Sequence, residues 1–114
     1  MKIHYLEIVT KDVDELCAAY AAATGAKFSM PDAGLGNART AALPGGGLVG
    51  VRAPLRETEE PVVRPYWLVD DIEGALGAAV EAGGVTALPP MEIPGQGTCA
   101  IYLQGGIDHG LWQL

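Results

Sequence analysis

Apolar positions recur along the chain with two alternating periods, and the alternation repeats itself half-way. Ile3 to Thr10 has the look of a short strand, and Val13, Leu16, Cys17 and Tyr20 then follow at i, i+3, i+4 and i+7, one face of a helix. The second half repeats this: Arg64 to Val69 predicts a strand, and Ile72, Ala75, Leu76, Ala79 and Val80 give the same helical spacing carried to i+8. Asp12 and Asp71 stand where N-caps belong, and Glu15 makes a capping box with Asp12 as the cap. Gly25 and the pair Gly83-Gly84 sit where a left-handed residue ends each helix. Three short strands are expected after each helix, at about 26–30, 38–43 and 48–53, then at about 85–88, 98–104 and 109–114. Between the halves, 55–63 carries Arg56, Glu57, Glu59 and Glu60 and reads as a polar linker.

The two halves are also related residue by residue. An offset of 59 positions brings Asp12 onto Asp71, Ala19 onto Ala78, Gly25 onto Gly84, Pro31 onto Pro90 and Gly36 onto Gly95 without a gap, and Gly46-Gly47 onto Gly105-Gly106. Module one (1–54) and module two (64–114) are therefore both read as βαβββ. One helix covers only one face of a four-stranded sheet, so the other face needs a partner. The expectation is a single α+β domain, 1–114, in which two βαβββ modules in tandem form a curved mixed sheet around a central cleft.

Charge and composition narrow the partners. The chain of 114 residues is 49% hydrophobic and carries 7 basic against 14 acidic side chains, a net charge of −7. With no basic run, it is a poor match for nucleic acid or an anionic membrane surface. Cys17 and Cys99 lie in apolar patterns far apart and are expected as free buried thiols. Charges at Lys2, Glu7, Lys11 and Asp12 interrupt any apolar signal segment, and the expected compartment is the cytoplasm.

The duplicated pattern resembles the vicinal oxygen chelate superfamily, which includes glyoxalase I, bleomycin-resistance proteins and extradiol dioxygenases. The resemblance runs from Glu7-Ile8-Val9-Thr10-Lys11-Asp12-Val13-Asp14 through Pro65-Tyr66-Trp67-Leu68-Val69-Asp70-Asp71-Ile72-Glu73. It continues in Ala82-Gly83-Gly84, Pro89-Pro90, Ile93-Pro94-Gly95 and Gly110-Leu111-Trp112-Gln113, and looks like a glyoxalase-like bacterial branch. The resemblance implies a divalent metal held by His and Glu from the first and last strand of each module, and a homodimer. Those positions fall near Tyr5, Val51, Arg64 and Gly110, none of them a usual metal ligand, so no metal site and no cofactor are expected.

Four other side chains carry donors near these positions: His4, Glu7, Asp108 and His109. Strand alternation sends Tyr5, Glu7 and Val9 into the cleft, leaves His4 on the helix side or at the strand's frayed start, and turns His109 away towards a surface or turn role. Arg64, Tyr66 and Leu68, with Ala100, Tyr102 and Trp112, complete the expected lining; Cys99, Ile101 and Leu103 are assigned to the core face. The expected ligand-binding set is Tyr5, Glu7, Arg64, Tyr66, Tyr102 and Trp112, with Glu7 as general base or acid; structurally, Glu7 would instead pair with Arg64, while Tyr66 and Trp112 fill space. The turns Gly34-Leu35-Gly36 and Pro94-Gly95-Gln96-Gly97 are candidate ligand gates. The reading is a glyoxalase/bleomycin-resistance-like protein that binds a small organic molecule between its modules without the metal. The alternative is a lyase, isomerase or dioxygenase whose rearranged ligands hold Zn, Ni, Mn or Fe.

Overall fold

A computed structural model describes all 114 residues. Seven strands and two helices make an α+β fold with both parallel and antiparallel pairing. The chain divides into two compact units, Tyr5–Val63 and Met1–His4 with Arg64–Leu114. Neither helix is long and apolar enough to cross a membrane.

In the first unit, β1 (Ile3–Val9) lies parallel to β3 (Leu48–Arg52), and β2 (Arg39–Ala42) is antiparallel to β3. Helix α1 (Val13–Thr24) covers one face: Cys17 is buried with Ile8 and Val51, and Val13, Leu16 and Tyr20 pack around them. The expected apolar stripe is the one the helix uses. Gly25 ends it in the left-handed conformation, with its N–H on the Ala21 carbonyl. The capping box does not form, because the Asp12 side chain makes no cap bond; its backbone N–H instead donates to Thr10 Oγ1 at 3.1 Å.

The segment 26–30, expected as a strand, is irregular. It runs beside β2, but Ser29 substitutes its side chain for part of the ladder: the Thr40 N–H donates to Ser29 Oγ at 3.0 Å, while the Ser29 N–H donates to the Thr40 carbonyl at 2.8 Å. Pro31 then has no N–H to offer. Pairing resumes only as the isolated bridge Asp32–Ala38, around a single 3-10 turn, Ala33–Leu35.

In the second unit, β4 (Val62–Leu68) lies parallel to β7 (Ile107–Gln113), followed outward by β6 (Gly97–Gln104) and β5 (Val85–Ile93), both antiparallel. The linker ends at Pro61, since Val62 and Val63 already belong to β4. Here the βαβββ order is complete. Helix α2 (Ile72–Glu81) is capped by Asp71, whose side chain accepts from the Gly74 N–H, and it closes on left-handed Gly83. Val80, expected on the buried stripe, is exposed near the helix end. Strand β5 is longer than expected and slips register around Pro89-Pro90, which an edge strand tolerates because one row of its backbone groups needs no partner.

Strand β6 corrects the sequence reading. Ala100 and Tyr102, expected to line the open face, lie on the helix side with Ile72, Leu76 and Leu111. Side-chain bulk is a poor guide here, because the small residue is the one that the helix-side cluster encloses. Ala100 is wholly buried, and a Cβ on Gly84 would stand 3.2 Å from the Tyr102 ring. Cys99 and Leu103 consequently take the opposite face, where Leu103 is exposed.

Each unit uses the same device on its helix-free face. The Tyr5 side chain lies over Gly50, and the Tyr66 ring lies over Gly110, so that a Cβ at either glycine would overlap the tyrosine. The partners Glu7↔Gly50 and Tyr66↔Gly110 make Gly50 the register equivalent of Gly110; Val51, the residue expected there, sits in the helix-side core. Module two has one more residue than module one between its glycine pair and this position (Gly47 to Gly50, Gly106 to Gly110), so the offset of 59 fails in the last strand. Gly110→Ala should lower the urea-unfolding free energy by about 1–3 kcal/mol through overpacking. In a Tyr66→Ala background the added methyl has room, and the same substitution should cost little. An equal loss in both backgrounds would rule out the ring overlap as the cause.

Candidate functional site

The helix-free face of module one is built by alternation on two parallel strands. Ile8 and Val51 point to α1, so Tyr5, Glu7 and Val9 on β1 and Gly50 and Arg52 on β3 point away from it. Arg52 is the centre of this face. Its Nε donates to Glu7 Oε2 at 3.0 Å, and its two terminal nitrogens donate to Glu59 Oε1 and Oε2 at 2.8 and 2.7 Å, a bidentate pair. The Nη1 group also reaches the Ala53 carbonyl at 3.2 Å. Only 7% of the Arg52 side chain is exposed, against 10% for Glu7 and 15% for Glu59. The hydrogen bonds to Glu59, and then the charge of Glu7, outweigh burial and keep the guanidinium charged well above its ordinary range. Tyr5 shifts the same way for another reason: burial, then the nearby Glu7 carboxylate, raise its phenol far above the usual value.

Glu59 belongs to the linker, which it folds back on itself. Its Oε1 also accepts from the Leu55 N–H at 2.7 Å, and its own N–H donates to the Arg56 carbonyl at 3.1 Å. Neither Arg52 nor Glu59 is among the expected site residues. The available signal is positional: Gly50 and Arg52 share a face at i and i+2, but counting by the repeat offset lands on Val51 instead.

Module two carries its own helix-free face. Trp67 and Val69 pack towards α2, so Arg64, Tyr66 and Leu68 face away from it, as do Gly110 and Trp112 beside Leu111. Arg64 is buried and donates from Nη2 to Asp108 Oδ2 at 3.1 Å. The Tyr66 and Trp112 rings meet edge to face with centroids 5.7 Å apart, and Trp112 Nε1 donates to the Gln96 carbonyl at 3.0 Å. His4 is not frayed: its ring lies 5.4 Å from that of Trp112, and burial, then Lys2, lower its pKa. His109 faces the helix side, stacked on Tyr102 at 5.1 Å and bonded to the Gln104 carbonyl at 2.9 Å, a turn role at the β6–β7 connection.

The strands place the expected residues as follows. Tyr5 and Glu7 share one helix-free face, Arg64, Tyr66 and Trp112 share the other, and Tyr102 belongs to neither. Of the two candidate gates, the turn after Asp32 buries Leu35, and the turn at 94–97 is held by Trp112 through Gln96.

The donor chemistry does not fit a divalent metal of the kind the resemblance implies. The positions in question hold Tyr5 and Gly50 in one module and Arg64 and Gly110 in the other. Nowhere do three His, Cys, Asp or Glu side chains come together to hold an ion. The carboxylate best placed to try, Glu7, already has a guanidinium at 3.0 Å, whose charge would repel a second cation.

Comparison with known proteins locates the fold. No family model and no curated protein matches the sequence. Solved structures do. Methylmalonyl-CoA epimerase from Mycobacterium tuberculosis aligns with a TM-score of 0.74 at 16% identity, over 97% of this chain and 86% of that one. A glyoxalase/bleomycin resistance protein/dioxygenase superfamily member from Vibrio splendidus 12B01 gives 0.69 at 15% identity, over 96% and 97% of the two chains. A Streptomyces coelicolor methylmalonyl-CoA epimerase variant in complex with 2-nitronate-propionyl-CoA gives 0.67 at 15% identity, over 99% and 96%. At these identities the likeness is one of architecture: the chain has the fold of the vicinal oxygen chelate superfamily.

Proposed function

We propose that this protein binds a small organic molecule on the helix-free faces of its modules without a divalent metal, and that Glu7 is the group that would move a proton if the bound molecule is turned over. One observation carries the reading. The three buried charged residues of the chain, Glu7, Arg52 and Arg64, all stand on helix-free faces, while the clusters beneath both helices are apolar. Burying an ion costs several kcal/mol before its partners compensate, and apolar side chains of similar size would serve a purely structural face as well or better. Tyrosine and tryptophan beside those charges supply flat apolar area, the usual company of a few placed polar groups in a ligand site.

The epimerase neighbours bind CoA thioesters, and such ligands bear several phosphate charges. With a net charge of −7, this chain repels a polyanion. The ligand class we favour is therefore a small neutral or singly anionic molecule with an apolar body, the anion answered by a guanidinium.

Two measurements test this. Protein purified without a His-tag, incubated with Mn, Fe, Co, Ni and Zn salts and desalted, should retain only background metal by plasma mass spectrometry. Near-stoichiometric retention would sink the metal-free reading. In a thermal-shift screen of small monocarboxylates, phenols and CoA thioesters, stabilising compounds should come from the first two classes. Glu7→Gln should weaken the phenols, whose hydroxyl donates to that carboxylate, about tenfold or more, while the ligand-free protein loses about 1–3 kcal/mol of stability as a charge-assisted hydrogen bond becomes a neutral one. Undiminished binding to that variant would remove Glu7 from the site.

A further inference from the structure

The Arg52 guanidinium is divided between two carboxylates from different parts of the chain. Glu7 comes from the middle of β1 and takes Nε; Glu59 comes from the linker and takes both terminal nitrogens. The linker's fold depends on the second arm, because the same Glu59 oxygen that meets Arg52 also accepts the Leu55 N–H at 2.7 Å. Leu55 itself is exposed, so little apolar burial holds this segment down.

We infer that the linker around Leu55–Glu59 is a strap whose closure is coupled to Glu7 through Arg52: the two carboxylates compete for one guanidinium, and whatever draws Glu7 away from Arg52 tightens the strap. The physical basis is charge sharing. A guanidinium that satisfies two carboxylates holds each less firmly than it would hold one, and at 7% exposure little water is at hand to make up the difference. Loss of either carboxylate is partly compensated by the other, whereas loss of both leaves a buried cation unanswered. Coupling of this kind is reciprocal, so opening the strap strengthens the hold of Arg52 on Glu7. For ligand capture, which rests on the function proposed above, a molecule that engages Glu7 would close the strap without touching it.

The test uses the full chain without ligand. Hydrogen exchange of the Leu55 amide, followed by NMR, should slow about fivefold in Glu7→Gln and speed up by a similar factor or more in Glu59→Gln. Glu7→Asp, which keeps the charge but withdraws it from Nε, should also slow exchange and serves if the glutamine variant folds poorly. In urea unfolding, the Glu7→Gln/Glu59→Gln double variant should lose more stability than the two single losses added together. Unchanged or faster Leu55 exchange in both Glu7 variants, or strict additivity in the cycle, overturns the coupling. Weakened ligand binding with unchanged Leu55 exchange would keep the proposed function and discard the strap; slowed exchange with undiminished binding would do the reverse.

Discussion

A buried guanidinium leaves a fold little freedom. Arg52 has five N–H donors in a rigid planar fork, and water reaches only 7% of the side chain, so the protein has to supply acceptors in the plane of the fork. Glu7, Glu59 and the Ala53 carbonyl do this together. Each acceptor fixes something else: Glu7 needs β1 in register beside β3, Glu59 needs the linker folded back, and Ala53 needs the chain to turn directly after the strand. Most of the order on this face of module one follows from one cation.

Module two also buries a guanidinium on its helix-free face. Arg64 is also buried, yet its partner Asp108 keeps 37% of its side chain in solvent. An ion pair with one partner partly in water is screened more than one in which both partners are buried. The two halves therefore retain a common plan, down to a tyrosine laid over a last-strand glycine, while their polar groups have diverged. Sharing the plan says nothing about sharing the chemistry. Proteins with the names of an epimerase and of a glyoxalase/bleomycin resistance protein/dioxygenase superfamily member share this architecture, and a fold by itself does not fix an activity.

The repeat, the two helices and the alternation of β1 and β4 were legible because each rests on a strong local rule. Val13, Leu16, Cys17 and Tyr20 can share a face only on a helix, and Tyr5 and Glu7 can share one only on a strand. Three features escaped for identifiable reasons. Alternation gives the two faces of β6 but not which of them the helix covers, and here small Ala100 is buried in the helix-side cluster while Leu103 is exposed. The segment 26–30 has strand-like composition, but Ser29 offers its own hydroxyl to Thr40, a competition between side chain and backbone that periodicity does not register. Arg52 was hidden by a single-residue difference between the modules, which placed Val51 where Gly50 stands and put its neighbour on the wrong face.

That displacement bears on how sites diverge within duplicated folds. One residue more or less ahead of a strand exchanges its two faces, so a position that offers a donor in one module presents a core residue in the other unless the register also shifts. Here the register has shifted: Gly50 and Gly110 occupy matching places despite the unequal spacing, and the tyrosines lie over both. The backbone arrangement has been kept against the sequence offset, while the charged residues around it have not. A guanidinium two residues beyond Gly50 and a tryptophan two residues beyond Gly110 make the faces chemically unlike. Each face therefore carries its own chemistry, an ion-paired carboxylate on one and an aromatic pair on the other.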